Sequence, residues 1–161
     1  SWAFRQISRP MASWKYGVTS LIALFHDILI PLGVFSVLGK FYNVEITIPI
    51  VAALLTIIGF SVHDTIVIFD RIRENILRKG MAQFSETVDW SLNQTLGRSI
   101  STVFTVLLVM AALFFFGGET LRYFSLALII GITAGAYSSI FIAGPLLVTW
   151  YKFDEKRAVK R

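Results

Sequence analysis

Ile46 to Gly80 reads ITIPIVAALLTIIGFSVHDTIVIFDRIRENILRKG. It opens on Pro49 and a long apolar run, and it closes in a burst of charge at Asp70-Arg71-Ile72-Arg73-Glu74. About 20 predominantly apolar residues cross a bilayer core as a helix, and this run is long enough. Within its second half a single carboxylate, Asp64, sits among Ile, Val and Phe. An acid at that depth costs roughly 2.5–3.5 kcal/mol on insertion scales, so it requires a partner or a role.

The rest of the chain has the same character. Of its 161 residues 55% are hydrophobic and only 16% are charged, and the mean hydropathy is +0.69. Several runs near 20 residues point to a polytopic membrane protein, all-α, rather than to one water-soluble core. The absence of cysteine excludes disulfides and thiolate metal sites, and nothing in the spacing of His, Asp or Glu calls for a metal or another cofactor. The net charge of +5 fits cytoplasmic loops against anionic lipid before it fits nucleic acid. The first residue is Ser1 and no signal-peptide layout follows it, so the sequence reads as a piece of a longer protein.

Four spans are expected, over 16–39, 46–69, 96–116 and 124–150, within a membrane unit covering 1–151. Ser1 to Lys15 reads as a basic loop, with Trp2 and Trp14 as interfacial anchors. In the first span His26-Asp27 precedes Pro31, which cannot donate to the carbonyl of Asp27 and is expected to kink the helix. The pair is either a second titratable site or a polar pair bonded to a neighbouring helix. Polar residues near kinks often serve packing, which favours the second. After the second span, 70–95 is a cytoplasmic segment. In it Phe84, Val88, Leu92 and Leu96 recur every four residues and predict an amphipathic helix lying at the interface.

The third span opens unusually polar. Gln94, Arg98, Ser101, Thr102 and Thr105 share one helical face. Arg98 alone reads as a residue snorkelling to the membrane edge, whereas the hydroxyls extending inward from it read as a polar pathway. In the fourth span Ala127, Gly131, Gly135, Ser139 and Ala143 place a small residue at every fourth position, the pattern of close helix packing. Residues 152–161 form a charged tail, expected to be solvated.

Orientation follows from charge. Arg5, Arg9, Lys15, Arg71, Arg73, Arg78, Lys79, Arg98, Lys152, Lys156, Arg157, Lys160 and Arg161 fall on one side, against Lys40 and Arg122 on the other. That bias predicts both ends cytoplasmic. Asp64 then lies roughly 9 Å and Arg98 roughly 12 Å to the cytoplasmic side of their span midpoints, at about 1.5 Å per residue. An Asp64–Arg98 pair within hydrocarbon is the expected ion or proton site. Low dielectric favours the neutral acid and a guanidinium favours the carboxylate, so helix motion can switch the balance.

AALLTIIGFSVHDTIVIFDRIREN, from Ala52 to Asn75, resembles the signature helix of the SecF branch of the SecD/SecF family of protein-export membrane proteins. Leu24-Phe-His-Asp27, Asn93-Gln-Thr-Leu-Gly-Arg-Ser99, Phe116-Gly-Gly-Glu119 and Gly135-Ala-Tyr-Ser-Ser-Ile140 agree in order and spacing. The resemblance covers nearly the whole chain and implies the C-terminal four-helix portion of a six-span protein, without its first two helices and periplasmic domain. His63 departs from the family, whose members commonly carry Asn before the aspartate, and Gly97 is a smaller variation.

The resemblance implies a non-enzymatic subunit of the resistance–nodulation–division superfamily. It would work with SecD in the cytoplasmic membrane, in contact with lipid, using the proton-motive force to draw secreted preproteins from the SecYEG channel. The family's membrane acid falls on Asp64 and its membrane arginine on Arg98, as proton carrier and charge sensor. His26, Asp27, His63, Gln94, Ser101, Thr102 and Thr105 would be supporting polar residues, and SecD would supply much of the neighbour that the small-residue stripe requires. A proton-coupled exporter of small molecules or lipids from the same superfamily is the alternative. An aspartyl protease built on Asp27 and Asp64 is disfavoured, because the two carboxylates differ in depth by about 9 Å. A purely structural assembly subunit would leave Asp64 replaceable.

Overall fold

Backbone amides have no water to bond in hydrocarbon, so apolar runs of this length close their hydrogen bonds internally as helices. The computed structural model describes residues 13–79 and 83–159 and shows α1 (Ser13–Tyr42), α2 (Ile48–Lys79), α3 (Phe84–Phe116), α4 (Glu119–Ser138) and α5 (Gly144–Val159). A π-helical turn, Ser139–Ala143, joins α4 to α5. Together these make four rods long and apolar enough to cross a membrane, the fourth running Glu119–Asp154. Residues 1–12, with Trp2 and most of the expected basic loop, lie outside the described residues, as do 80–82 and the last two positions; Ser13 to Lys15, expected in that loop, open α1 instead.

Prolines sit where the helices tolerate them. Pro49 falls in the first turn of α2, where its missing N–H has no intrahelical partner to lose. Pro31 lies within α1, which continues through it. Pro145 cannot donate to the carbonyl of Phe141, and the wide π turn immediately precedes it. The connection between α1 and α2 turns at Asn43, whose φ of 52° is a left-handed value that asparagine adopts more readily than most residues.

Two boundaries differ from the sequence reading. The amphipathic stretch from Phe84 and the third span form one continuous helix, with no break at Leu96. The charged tail is helical through Val159 and is tied down, since Asp154 accepts an ion pair from Lys15. Trp14 packs on Trp150 with ring centroids 5.6 Å apart, and Phe84 stacks on Tyr151 at 4.2 Å. The starts of α1 and α3 are therefore fastened to α5 on one side of the bundle.

α4 is the central helix and packs on α1, α2 and α3, most extensively on α2. Its small-residue stripe makes this possible, since Ala127, Gly131, Gly135, Ser139 and Ala143 are all buried. A β-carbon at Gly131 would stand 2.2 Å from Ile57 Cδ1, a distance no real contact allows. The neighbour expected from SecD along this stripe is thus supplied by the chain itself.

Two apolar clusters divide the interior. One, near the chain ends, gathers Tyr16, Ala23, Ile68, Phe69, Ile72, Ile76, Phe84, Val88, Ala143 and Leu147. The other gathers Phe35, Ile50, Ala53, Ile57, Val103, Ala127, Leu128 and Ile132. Each of the four rods passes from one cluster to the other, and each carries buried polar residues in between.

Candidate proton-coupling site

That intermediate layer holds Asp27 from α1, Ser61 and Thr65 from α2, Ser99 from α3, and Ser138 and Ser139 at the α4 junction, all buried. A polar layer between apolar clusters is costly unless its groups bond one another. Here most do. Ser138 and Ser139 return their hydroxyls to the Gly135 carbonyl. Ser61 Oγ donates to Asp27 Oδ2 across the α1–α2 contact. His26 Nδ1 lies 3.1 Å from the other Asp27 oxygen.

Asp64 belongs to the same layer, one turn beyond Ser61 on α2. Ser99 Oγ on α3 donates to its Oδ1 at 2.9 Å. Its Oδ2 is buried without a hydrogen-bond partner. The carboxyl group thus has one donor on one oxygen and a bare, buried second oxygen.

The expected Asp64–Arg98 ion pair is not formed among the described residues. Rotation about the helix axis decides the contact. Ser99 is the position of α3 turned toward α2, and Arg98, about 100° away around the helix, is exposed. Arg98 instead lines a groove of about 370 Å³ between α2 and α3, together with Ile66, Val67, Asp70, Arg71, Glu74, Gln94 and Thr95. Within this groove region Glu74 is bonded to Arg71 and Arg78, and buried Asn75 ties α2 to α3 by donating to Ser91 Oγ at 2.8 Å and Gln94 Oε1 at 3.1 Å.

Gln94, Arg98, Ser101, Thr102 and Thr105 do share a face, and it is the outer one: all five are exposed. Thr102 and Thr105 donate to carbonyls four residues back, Arg98 O at 2.9 Å and Ser101 O at 2.8 Å. His63 is exposed on α2 and adds no hydrogen bond to Asp64. The residues that sequence reasoning missed are Ser61 and Ser99. The signal for Ser99 was a second four-residue period on α3, Thr87, Ser91, Thr95, Ser99, all of it buried. No three His, Cys, Asp or Glu side chains group as metal ligands among the described residues.

Comparison with known proteins gives this arrangement a context. The model of the family described as protein export membrane protein SecD/SecF, C-terminal, matches residues 11–153. A protein translocase subunit SecF from Thermobaculum terrenum is 52% identical over 161 residues, covering all of this chain and 50% of that relative. A SecF from Rhodothermus marinus is 50% identical over 84% of this chain and 44% of its own length. A protein translocase subunit SecDF from Thermus thermophilus is 47% identical over 85% of this chain and 18% of its own. A crystal structure of SecDF in its super-membrane-facing form superposes with a TM-score of 0.83 at 44% identity, covering 91% of this chain and 20% of that one. The chain spans about half the length of the curated SecF relatives it matches.

Proposed function

Because the chain belongs to the SecD/SecF family of protein-export membrane proteins, we propose that it is the proton-coupling helical portion of a translocase subunit that works with SecD. Energy from the proton-motive force enters at Asp64 and leaves as helix movement that assists Sec-dependent export of preproteins through SecYEG. Both chain ends face the cytoplasm in this reading, which the charge bias supports, in a cytoplasmic membrane whose lipid meets the outer apolar faces. The relatives named as translocase subunits favour this reading over export of small molecules.

The observation that carries it is the incomplete solvation of Asp64, with Ser99 on one oxygen and nothing on the other. In the protonated state this contact suffices. Loss of the proton creates a charge that needs a further donor, and Arg98, the residue next to Ser99, supplies it if α2 and α3 rotate or shift against each other. Protonated and ionised Asp64 thereby favour different helix arrangements, which is what turns a proton cycle into a mechanical one. One charge moved through 100 mV supplies about 2.3 kcal/mol, comparable with the net worth of a charge-assisted hydrogen bond, about 1.5–3 kcal/mol.

The test is Asp64→Asn, which fixes a neutral, near-isosteric side chain. Secretion of a reporter is measured with and without the proton gradient at matched expression. The variant is expected to insert and to co-purify with SecD while losing gradient-dependent stimulation. Full stimulation in Asp64→Asn would overturn the proton-carrier role and leave Asp64 a structural residue.

A further inference from the structure

Asp27 is the one carboxylate with no exposed surface among the described residues, and the coupling cycle does not use it. It sits where α1, α2 and α4 meet. Ser61 Oγ donates to its Oδ2, His26 takes Oδ1, and Gly135 of α4 lies behind the pair, where a β-carbon would make ordinary contact at 3.5 Å with both Asp27 Oδ2 and Ser61 Cβ. We propose that Asp27 is the positioning residue for Asp64: by holding Ser61 it fixes the rotation of α2 that turns Asp64 toward Ser99. The proposal deepens, and rests on, the assignment of Asp64 as the coupling carboxylate.

Ser61 precedes Asp64 by three residues, a rise of about 4.5 Å and an angular offset of about 60°. α2 is therefore gripped at nearly one level from two sides, by α1 through Ser61–Asp27 and by α3 through Asp64–Ser99. The apolar contacts above and below, at Ile57 and Ile68, resist separation but are non-directional. Hydrogen bonds are directional, so these two fix an azimuth that apolar packing leaves free. Both grips are on one rigid helix, so a rotation that takes Asp64 off Ser99 also takes Ser61 off Asp27. The resting orientation of the coupling carboxylate is thus set from an adjoining face of its own helix.

The absence of native cysteine makes a geometric test clean. In the chain assembled with SecD, Asp64→Cys and Ser99→Cys together report by their oxidative cross-linking rate whether position 64 faces α3. This readout does not depend on Asp64 carrying a proton. Adding Ser61→Ala or Asp27→Leu should slow cross-linking about fivefold, the value of one net hydrogen bond of about 1 kcal/mol. Adding Asp27→Asn, which keeps an oxygen for Ser61, should leave the rate within about twofold. A parental rate in Ser61→Ala overturns the proposal. Should Asp27→Leu fail to accumulate, Ser61→Ala decides alone, since it removes only a hydroxyl. In the chain with Asp64 intact, Ser61→Ala should also lower gradient-driven export. Slowed cross-linking with parental export would support the positioning role and count against Asp64 as carrier. Parental cross-linking beside loss of export in Asp64→Asn would do the reverse.

Discussion

Asp64 and Arg98 lie on facing helices, one turned inward to Ser99 and the other outward into the α2–α3 groove. An arginine in that place is not satisfied by packing alone, since among the described residues it has no ion pair. If its role is to receive the ionised Asp64, then Arg98→Ala should reduce gradient-dependent secretion about as far as Asp64→Asn does. Asp70→Asn, in the same groove but exposed beyond the apolar part of α2, should be milder, because its charge stands where water already reaches. Secretion of one reporter by the three variants at equal expression separates these expectations, and an Asp70→Asn effect equal to that of Asp64→Asn would move the site toward the groove mouth. How much of this was legible follows from the same residues. An acid among aliphatics announces itself in any hydropathy reading, and depth follows from counting along a helix. Whether Ser99 or Arg98 faces Asp64 depends on the azimuth at which α3 docks, and both its four-residue polar periods, the buried and the exposed, look alike before the partner helix is placed.

The central crossing of this bundle, α2 on α4, is made close by a glycine. The α2–α4 crossing places Gly131 directly on Ile57, where a β-carbon would lie 2.2 Å from Cδ1, 2.5 Å from Cγ1 and 3.0 Å from Cγ2. Rotating the tip of Ile57 cannot relieve all three, so Gly131→Ala should destabilise the bundle by about 1–3 kcal/mol. At Gly135 the added carbon meets only ordinary contacts at 3.5 Å, and there the substitution should be near neutral, since alanine also gains about 1 kcal/mol of helix propensity over glycine. Denaturant titration of the detergent-solubilised complex distinguishes the two. In an Ile57→Ala background the Gly131→Ala penalty should shrink, because the colliding atoms are gone. The stripe itself was plain in the sequence, as were the four spans, because length and small-residue spacing survive without knowledge of neighbours. The join at Leu96 was not. Hydropathy changes there from amphipathic to apolar while the helical period continues, and a lone Gly97 does not end a helix.

The whole bundle buries its small-residue stripe on itself and turns a polar one outward. Gln94, Arg98, Ser101, Thr102 and Thr105 cover about 16 Å along α3 at 1.5 Å per residue; α2 reaches only the Gln94 end of this face, and all five are exposed. Two of the hydroxyls are satisfied by their own helix, but an arginine facing acyl chains is expensive. Lipid is therefore the wrong neighbour for this face, while the apolar outer residues of α1, such as Phe25 and Leu29, suit it. SecD, which the name of the SecDF relative pairs with SecF, is expected over the polar face of α3, where it would close the groove beside Arg98 and complete the surroundings of Asp64. Single cysteines introduced at Ser101 and Thr105, paired with a cysteine scan of the membrane helices of SecD, should give heterodimeric cross-links in native membranes. Cysteines at Phe25 and Leu29 should give none under the same oxidation. The reverse pattern would put SecD against α1 and leave the polar face of α3 for another membrane partner, and with it the second half of the proton path.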